Sequence, residues 1–491
     1  MSAMVVFDRT SSIASRARCK TGRIASTMLP PTGQFSQGGG RCIETRWFSS
    51  TASYTSSSVI CFAGLASCPV GPTPTCARRG DRRCARTSRR PTSSRDPTDT
   101  RDVAIFANSR VSLGVDSYET GADLARQIRG AFGQEPLSVI LAYAAVNHEQ
   151  DAFLRGVREL AGPDVAIVGC SGQGIMGRGL VIEEGYVAGA MGLGGASLRG
   201  TARSVEHLDV DSAAKGTALG AALRAGAPGP LKVVIVHYDP LCGADVDAFL
   251  QALHAEVGCP IIGGAAAEYW GPMLETFQYI DGTVLHAAAV AVGLHGTFSA
   301  EIELCHGTQP TGIEMTVTAS QGNHVLAFDG RPALEVWQEF CSVAPAEIAE
   351  SGAIGIGLPT REPGVYRVRC AFGVDPKTSS VIFQAGLAPG TRVLVHHRTV
   401  QGALEGTAAM GRRLVQRVKH KRLRAVLGFE CGARTKPFLG AEFTTKENLA
   451  LQAMLGPDVA WLGPLVWGEV FVLDGCAGFA NFSFPVLALA D

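Results

Sequence analysis

Leu137-Ser138-Val139-Ile140-Leu141, then Asp151-Ala152-Phe153-Leu154-Arg155-Gly156-Val157, then Val165-Ala166-Ile167-Val168 running into Gly169-Cys170-Ser171-Gly172, is the stretch whose reading decides the fold. The first run has the length and apolarity of a buried strand, the second the pattern of an amphipathic helix, and the third is a short strand ending at a glycine turn. The phrase returns 94 residues later as Leu231-Lys232-Val233-Val234-Ile235, Asp247 to Leu253, and Pro260-Ile261-Ile262 before Gly263-Gly264-Ala265-Ala266. Leu137 to Gly169 and Leu231 to Gly263 are both 32 residues apart. A looser third copy runs from Leu423 to Gly463, an interval of 40, with the extra residues expected in a loop over 433–442. Self-similarity at a fixed interval identifies a repeated supersecondary unit.

Behind each glycine turn lie two longer segments of alternating character: 185–193 with 197–205, 286–294 with 298–306, and 469–473 with 479–489. Alternation predicts antiparallel hairpins with one buried face. The expected fold class is therefore α/β (mixed α+β). Repeated strand-helix-strand-hairpin units form mixed sheets covered by helices, layered helix, sheet, sheet, helix, in two pseudo-similar domains over 102–340 and 341–491. The units are expected to enclose a shared cleft with its rim at the glycine corners.

Residues 1–101 are different in kind. They hold 16 Lys+Arg against 5 Asp+Glu, so they carry +11 and leave −11 on the remainder of a chain whose net charge is zero. They are rich in Ser, Arg, Thr and Pro and show no lasting period, which predicts a disordered leader. A transit peptide, a nucleic-acid-binding tail and a start codon placed too far upstream all suit that composition. The acidic body argues against nucleic acid as its partner. No run approaches the roughly 18 apolar residues of a membrane span, and the 14 cysteines, eight of them scattered through the body after residue 101, include no Cys-x-x-Cys pair and suit a reducing, cytoplasmic compartment.

Chemistry would collect at the glycine corners. Gly169-Cys170-Ser171-Gly172-Gln173-Gly174 lacks the dinucleotide fingerprint spacing and a following helix, and it sets the serine one position away from a nucleophile elbow. Recurrence at Gly263 and Gly264 offers a plain alternative, small residues where backbones pass closely. The histidines show no zinc spacing, so no metal is expected; His306, beside Gly307 at a strand end, is the one candidate haem ligand. Phe429-Glu430-Cys431-Gly432-Ala433-Arg434 and Trp467-Gly468-Glu469 follow strands of the third copy, where ligands gather in open α/β sheets. Arg434 and Glu469 would anchor a carboxylate and an amine, or else form an ordinary ion pair.

Taken together, Val168-Gly169-Cys170-Ser171, Ile262-Gly263-Gly264-Ala265-Ala266, His306-Gly307-Thr308-Gln309-Pro310-Thr311-Gly312 and Asp329-Gly330-Arg331-Pro332 resemble the N-terminal FIST domain. Phe429 to Arg434, Gly468-Glu469 and Asn481 resemble the C-terminal FIST domain. The resemblance implies a non-catalytic sensory protein of signal transduction that binds a small ligand such as an amino acid. It also implies a separate output protein as partner, since the chain shows no kinase, cyclase or F-box sequence. The ligand-binding set would comprise Gly169, Cys170, Ser171, Gly263, Gly264, His306, Cys431, Arg434, Glu469 and Asn481, with no cofactor expected. Some relatives are haem-based nitric-oxide sensors, but Thr308 stands where the family often has an aromatic, and Ala480 where it usually has histidine. A plain interaction scaffold is the remaining alternative.

Overall fold

The structure, a computed structural model, describes residues 104–269, 274–341 and 354–491; the leader expected over 1–101 lies outside them. The three phrases fold as three copies of one unit. The first comprises β1 (Phe106–Ser112), α1 (Ser117–Phe132), β2 (Leu137–Ala145), α2 (Gln150–Ala161), β3 (Ala166–Gly172), the short β4 (Ile175–Gly177) and β5 (Leu180–Ile182), and β6 (Ala188–Gly194). The second comprises β7 (Leu198–Glu206), α3 (Ser212–Gly226), β8 (Leu231–Tyr238), α4 (Val246–Val257), β9 (Ile261–Ala265), β10 (Gln278–Ile280), β11 (Thr283–Leu285) and β12 (Ala288–Gly296).

The third unit opens with β13 (Ser299–Cys305) and is then interrupted by an inserted sheet. That insert contains β14 (Thr308–Gln321), β15 (His324–Phe328), β16 (Arg331–Pro332), α5 (Ala333–Cys341), β17 (Ile354–Pro359), β18 (Tyr366–Asp375), β19 (Ser380–Phe383) and β20 (Arg392–Arg398). The unit resumes with α6 (Val400–Val418), β21 (Leu423–Gly428), the two-residue β22 (Glu430–Cys431), α7 (Gly440–Leu455), β23 (Ala460–Val466), β24 (Glu469–Leu473), β25 (Cys476–Ala480) and β26 (Phe484–Ala490). The extra length of this copy does fall before α7, but part of it, Thr435–Leu439, is a π-helical turn and not an open loop.

Each unit builds a four-stranded sheet of the same order: β1-β6-β2-β3, β7-β12-β8-β9 and β13-β26-β21-β23. In each the last two strands are parallel and the others antiparallel. A hairpin from another unit then extends each sheet: β10–β11 joins the first, β24–β25 the second and β4–β5 the third. The exchange is cyclic, since every unit gives its short hairpin to the sheet of the unit before it. Two of the three long hairpins expected from the sequence do not form, and the third survives only as the short β24–β25 pair, where Glu469 and Val470 face Ala480 and Phe479. β6 pairs with β1 and β2, whereas β7 pairs with β12; β12 and β13 likewise separate, and β26 leaves β24 for β13 and β21. Alternation reports a half-buried strand but not its partner, and here the second strand of the first two pairs, β7 and β13, opens the next sheet.

Helix pairs α1–α2, α3–α4 and α6–α7 pack together, one pair for each unit. Asp116, Asp211, Asp245 and Thr399 cap α1, α3, α4 and α6 through side-chain oxygens that accept backbone N–H groups at the helix starts. The first and third sheets and much of the second share one apolar core, including Val139, Leu141, Val168, Ile235, Val292, Leu427 and Leu487. This mixed α/β architecture, with helix-covered sheets, is the class expected from the repeat. Among the described residues no helix is long and apolar enough to cross a membrane.

Candidate functional site

The glycine corners come together. Gln173 N–H donates to Leu465 O at 3.0 Å, Ala265 N–H to Gly468 O at 2.9 Å, and Ala267 N–H to Ser171 O at 2.9 Å, so each corner is bonded to the other two. The need for glycine is the same in all three. A Cβ on Gly169 would lie 1.6 Å from Ala142 O, on Gly263 1.9 Å from Val236 O, and on Gly463 1.9 Å from Gly428 O, each on the neighbouring parallel strand. Close backbone approach thus accounts for Gly169 and Gly263 in the terms the recurrence suggested.

The cleft expected between the corners is closed. Tyr143, His237 and Phe429, each six residues beyond the first residue of β2, β8 or β21, meet there and are wholly buried. Cys170 and Ser171 are also fully buried. Burial pushes the Cys170 thiol well above its ordinary value, and Ser171 Oγ accepts a hydrogen bond from Phe277 N–H at 3.1 Å. Gln173, which the sequence reading passed over, ties the corners: its amide donates to Gly432 O at 3.0 Å and to Glu183 at 3.1 Å, and accepts from the Trp467 indole N–H at 3.1 Å.

Of the remaining predicted residues, Glu469, Cys431 and Asn481 gather where the inserted sheet meets the third unit. Glu469 lies directly opposite Gly264 in the β24–β9 pairing. The equivalent register in the first sheet sets Gln278 opposite Cys170, and in the third Ile175 opposite Pro464. Only one of the three corners therefore presents a carboxyl group. Glu469 has no solvent exposure. Its Oε2 accepts from Ser483 N–H at 3.0 Å and Oγ–H at 2.7 Å, while Oε1 has no hydrogen-bond partner. Burial raises its pKa to about 8, against the opposing effect of the Ser483 hydrogen bonds and the adjacent Cys431 thiol. At neutral pH this side chain is mostly the uncharged acid.

Asn481 clips the insert to the unit. Its Oδ1 accepts from Cys370 N–H at 3.1 Å, its amide donates to Gln384 at 2.5 Å, and its own N–H donates to Val368 O at 2.9 Å. Cys431 packs with Val368 and Phe482 in a small buried cluster at the same seam. Arg398, at the end of β20, was not anticipated. Its guanidinium lies 3.8 Å from the ring centre of Phe482 and 3.9 Å from that of Phe438, and donates to Ala433 O at 3.1 Å. Burial lowers its pKa to about 9, and Glu469 is among the neighbours that oppose the fall. The sequence signal was there: an arginine ending the otherwise apolar run Val393-Leu394-Val395.

Arg434 is placed differently. It is 1% exposed and is paired with Glu430 at 3.2 Å and with Glu447, and it donates further to Thr407 Oγ1 at 2.8 Å and Ala403 O at 3.0 Å. Burial alone would lower its pKa, but Glu447, Cys305 and Glu430 hold it above the ordinary value. Glu430 is pushed well up, by burial first and then by Glu447. Arg434 is thus an interior cation already paired with two carboxyl groups. Arg434 also reaches His306 O at 3.4 Å.

His306 is half-buried, and its Nδ1 accepts from Thr308 N–H at 3.1 Å. Thr308 Oγ1 bridges His306 Nδ1 and His396 Nδ1, both at 2.9 Å. In the neutral ring this leaves the proton on Nε2, the wrong tautomer for an axial ligand bound through Nε2. The residues around His306 therefore do not fit a haem. Among the described residues no group of three His, Cys, Asp or Glu side chains is arranged to hold a metal ion.

Three linked mixed sheets with exchanged hairpins and an inserted sheet make up this mixed α/β fold. The FIST N domain family model matches residues 138–331 and the FIST C domain family model residues 333–472, and the chain belongs to that family. FIST domains are associated with sensory and signal-transduction proteins. The boundary at 332 falls inside the inserted sheet, so the third unit takes β13 from one side and the rest of its sheet from the other. An uncharacterized protein, MJ1623 of Methanocaldococcus jannaschii, is 34% identical over 93 residues, which is 19% of this chain and 18% of that protein. The chain thus matches less than a fifth of that relative's length. PurL of T. maritima complexed with ATP aligns at a TM-score of 0.21 and 11% identity over 79% of this chain and 71% of that one. The same enzyme complexed with FGAR gives 0.22 and 9% over 79% and 72%. Likeness this weak carries no argument.

Proposed function

We propose that this chain is a cytoplasmic, non-catalytic sensor that binds an amino acid or related metabolite at the seam around Glu469 and signals through a separate protein. The observation that carries the reading is the Glu469 carboxyl: wholly buried, raised to about 8 and with Oε1 unpartnered. A buried polar atom without a partner is costly unless a ligand completes it. The ammonium of an amino acid would ionise Glu469 and pair with it, and Arg398 flanks the same seam with the charge a carboxylate needs. Arg434, the anchor first expected, is already balanced by Glu430 and Glu447. Burial of Cys170 and Ser171 speaks against nucleophilic turnover.

Because Glu469 is enclosed, entry requires the inserted sheet to part from the third unit at the Asn481 clip. That movement is what a partner protein would detect, since a ligand shifts an equilibrium only by binding one arrangement better. The test is a thermal-shift screen of amino acids and related metabolites, followed by titration calorimetry of any hit in two buffers of different ionisation enthalpy. At pH 7 an amine pairing with Glu469 displaces its proton, so the observed heat should vary with buffer, and Glu469→Gln should abolish that variation. A screen without any stabilising compound, or a hit whose heat is the same in both buffers, would refute this reading.

A further inference from the structure

A separate cleft of about 490 Å³ lies between the start of α4, the β17–β18 turn and the β24–β25 hairpin. Its charged lining is Asp247, Arg361, Arg367, Arg369 and Asp474. Two of the three arginines are neutralised. Arg369 Nη2 lies 2.6 Å from Asp247 Oδ2, and Arg361 Nε lies 3.9 Å from Asp474 Oδ2. Arg367 is 9% exposed, yet it has no ion-pair partner among the described residues; its guanidinium donates only to Cys476 O at 2.8 Å and, weakly, Phe479 O at 3.4 Å. The ledger of the cleft is three positive charges against two negative ones, with the excess on the most recessed wall.

Sequence and pairing explain the arrangement. Arg367 and Arg369 alternate along β18, opposite Leu358 and Ile356 of β17, and so project from the same face. Both rest over aromatic rings of the exchanged hairpin, Arg369 at 3.6 Å from the Phe479 centroid and Arg367 at 5.2 Å from that of Phe471. Arg369 Nε has no hydrogen-bond partner. Burial, and then Arg369, pulls the Arg367 pKa down to about 10, with Asp247 opposing the fall. The first turn of α4 adds the positive end of a helix dipole to the same wall.

We propose that this cleft binds a small anion, a metabolite bearing a phosphate or carboxylate group, with Arg367 as its principal anchor. A guanidinium edge accepts either group in a two-pronged bond, and the volume suits a metabolite. A polyanion is disfavoured, because Arg367 is recessed and residues 102–491 carry a net −11 from 28 Lys+Arg and 39 Asp+Glu. The site shares none of these lining residues with the Glu469 seam, and its test does not depend on that reading.

The experiment is titration calorimetry of the full chain with inorganic phosphate and, separately, with acetate, at ionic strength held constant with sodium chloride. We expect one saturable site, weakened by at least about tenfold in Arg367→Gln, while Arg367→Lys retains part of the affinity. Tighter phosphate binding assigns a phosphorylated ligand, and tighter acetate binding a carboxylate. Thermal unfolding of the wild-type protein supplies a readout that needs no variant, since the bound anion raises the midpoint above that in equivalent chloride. Absence of saturable heat with either anion together with an unmoved midpoint, or equal affinity in Arg367→Gln, overturns the proposal.

Discussion

Tyr143 and His237, 94 residues apart, hold the same place in successive units and are joined by a hydrogen bond of 3.2 Å. His237 Nδ1–H donates to Gly264 O at 2.9 Å, which leaves Nε2 to accept from the Tyr143 hydroxyl. Phe429 fills the third equivalent place, 5.8 Å from the His237 ring centre. Tyr143→Phe leaves His237 Nε2 buried without a donor and should cost about 1 to 2 kcal/mol in denaturant unfolding. His237→Phe in the same background removes the orphan and should recover part of that loss.

Acid should destabilise this protein through its histidines. Burial lowers His237 to about 4, burial and then Arg434 lower His306 to about 4, and burial and then His306 lower His396 to about 4. Below the ordinary value of 6.5 the unfolded chain takes up protons that the folded chain refuses. Stability is therefore retained above about pH 6.5 and falls as pH drops toward 4, on the order of 1 to 3 kcal/mol for each ring. Glu469 works in the opposite sense. Its folded pKa of about 8 lies above the unfolded value of 4.5, so its contribution is present below 4.5 and lost as pH rises through 8. Melting temperatures from pH 4 to 8.5 should fall at both ends, and Glu469→Gln should flatten the alkaline limb alone.

The corner glycines are a sharp case. Gly169→Ala, Gly263→Ala and Gly463→Ala each drive a methyl into a carbonyl oxygen less than 2 Å away, which should cost about 3 kcal/mol or more in unfolding free energy. Gly179→Ala, at φ 78° with open space around its Cβ, should cost only about 1 kcal/mol. Equal losses at all four positions would show that close approach is not the reason for the corners.

Arg434→Met removes the cation from between Glu430 and Glu447, leaving two buried carboxyl groups without their ion-pair partner. A loss of about 3 to 5 kcal/mol is expected in chemical unfolding. Glu430→Gln, which keeps a hydrogen-bonding side chain beside Arg434 and leaves the Glu447 pair in place, should be far milder.

The repeat was readable from the sequence because buried parallel strands need unbroken apolar runs and because the corners need glycine; Leu231 to Gly263 reproduces Leu137 to Gly169 for those reasons. Strand pairing was not readable. Nothing in the alternation of 197–205 says that β7 leaves β6 for β12, since both arrangements bury the same side chains. Glu469 and Cys431 stood out because they follow strands of the third copy and Asn481 through the family phrases, whereas Arg398 was missed because it lies on the inserted sheet, far in sequence from the corner it covers. Arg434 looked like an anchor because its two carboxylate partners, four and thirteen residues further from or along the chain, carry no sign that they face it.

The hairpin exchange dictates an order of assembly. β4–β5 leaves the ribosome early yet rests against β23, and β13 must await β26, which follows the whole insert in sequence. During synthesis the third sheet has no middle, so its apolar edges stay open until β26 emerges, and these long-range pairings make folding slow. Nascent chains of this protein should accordingly depend on chaperones until β26 has joined the sheet.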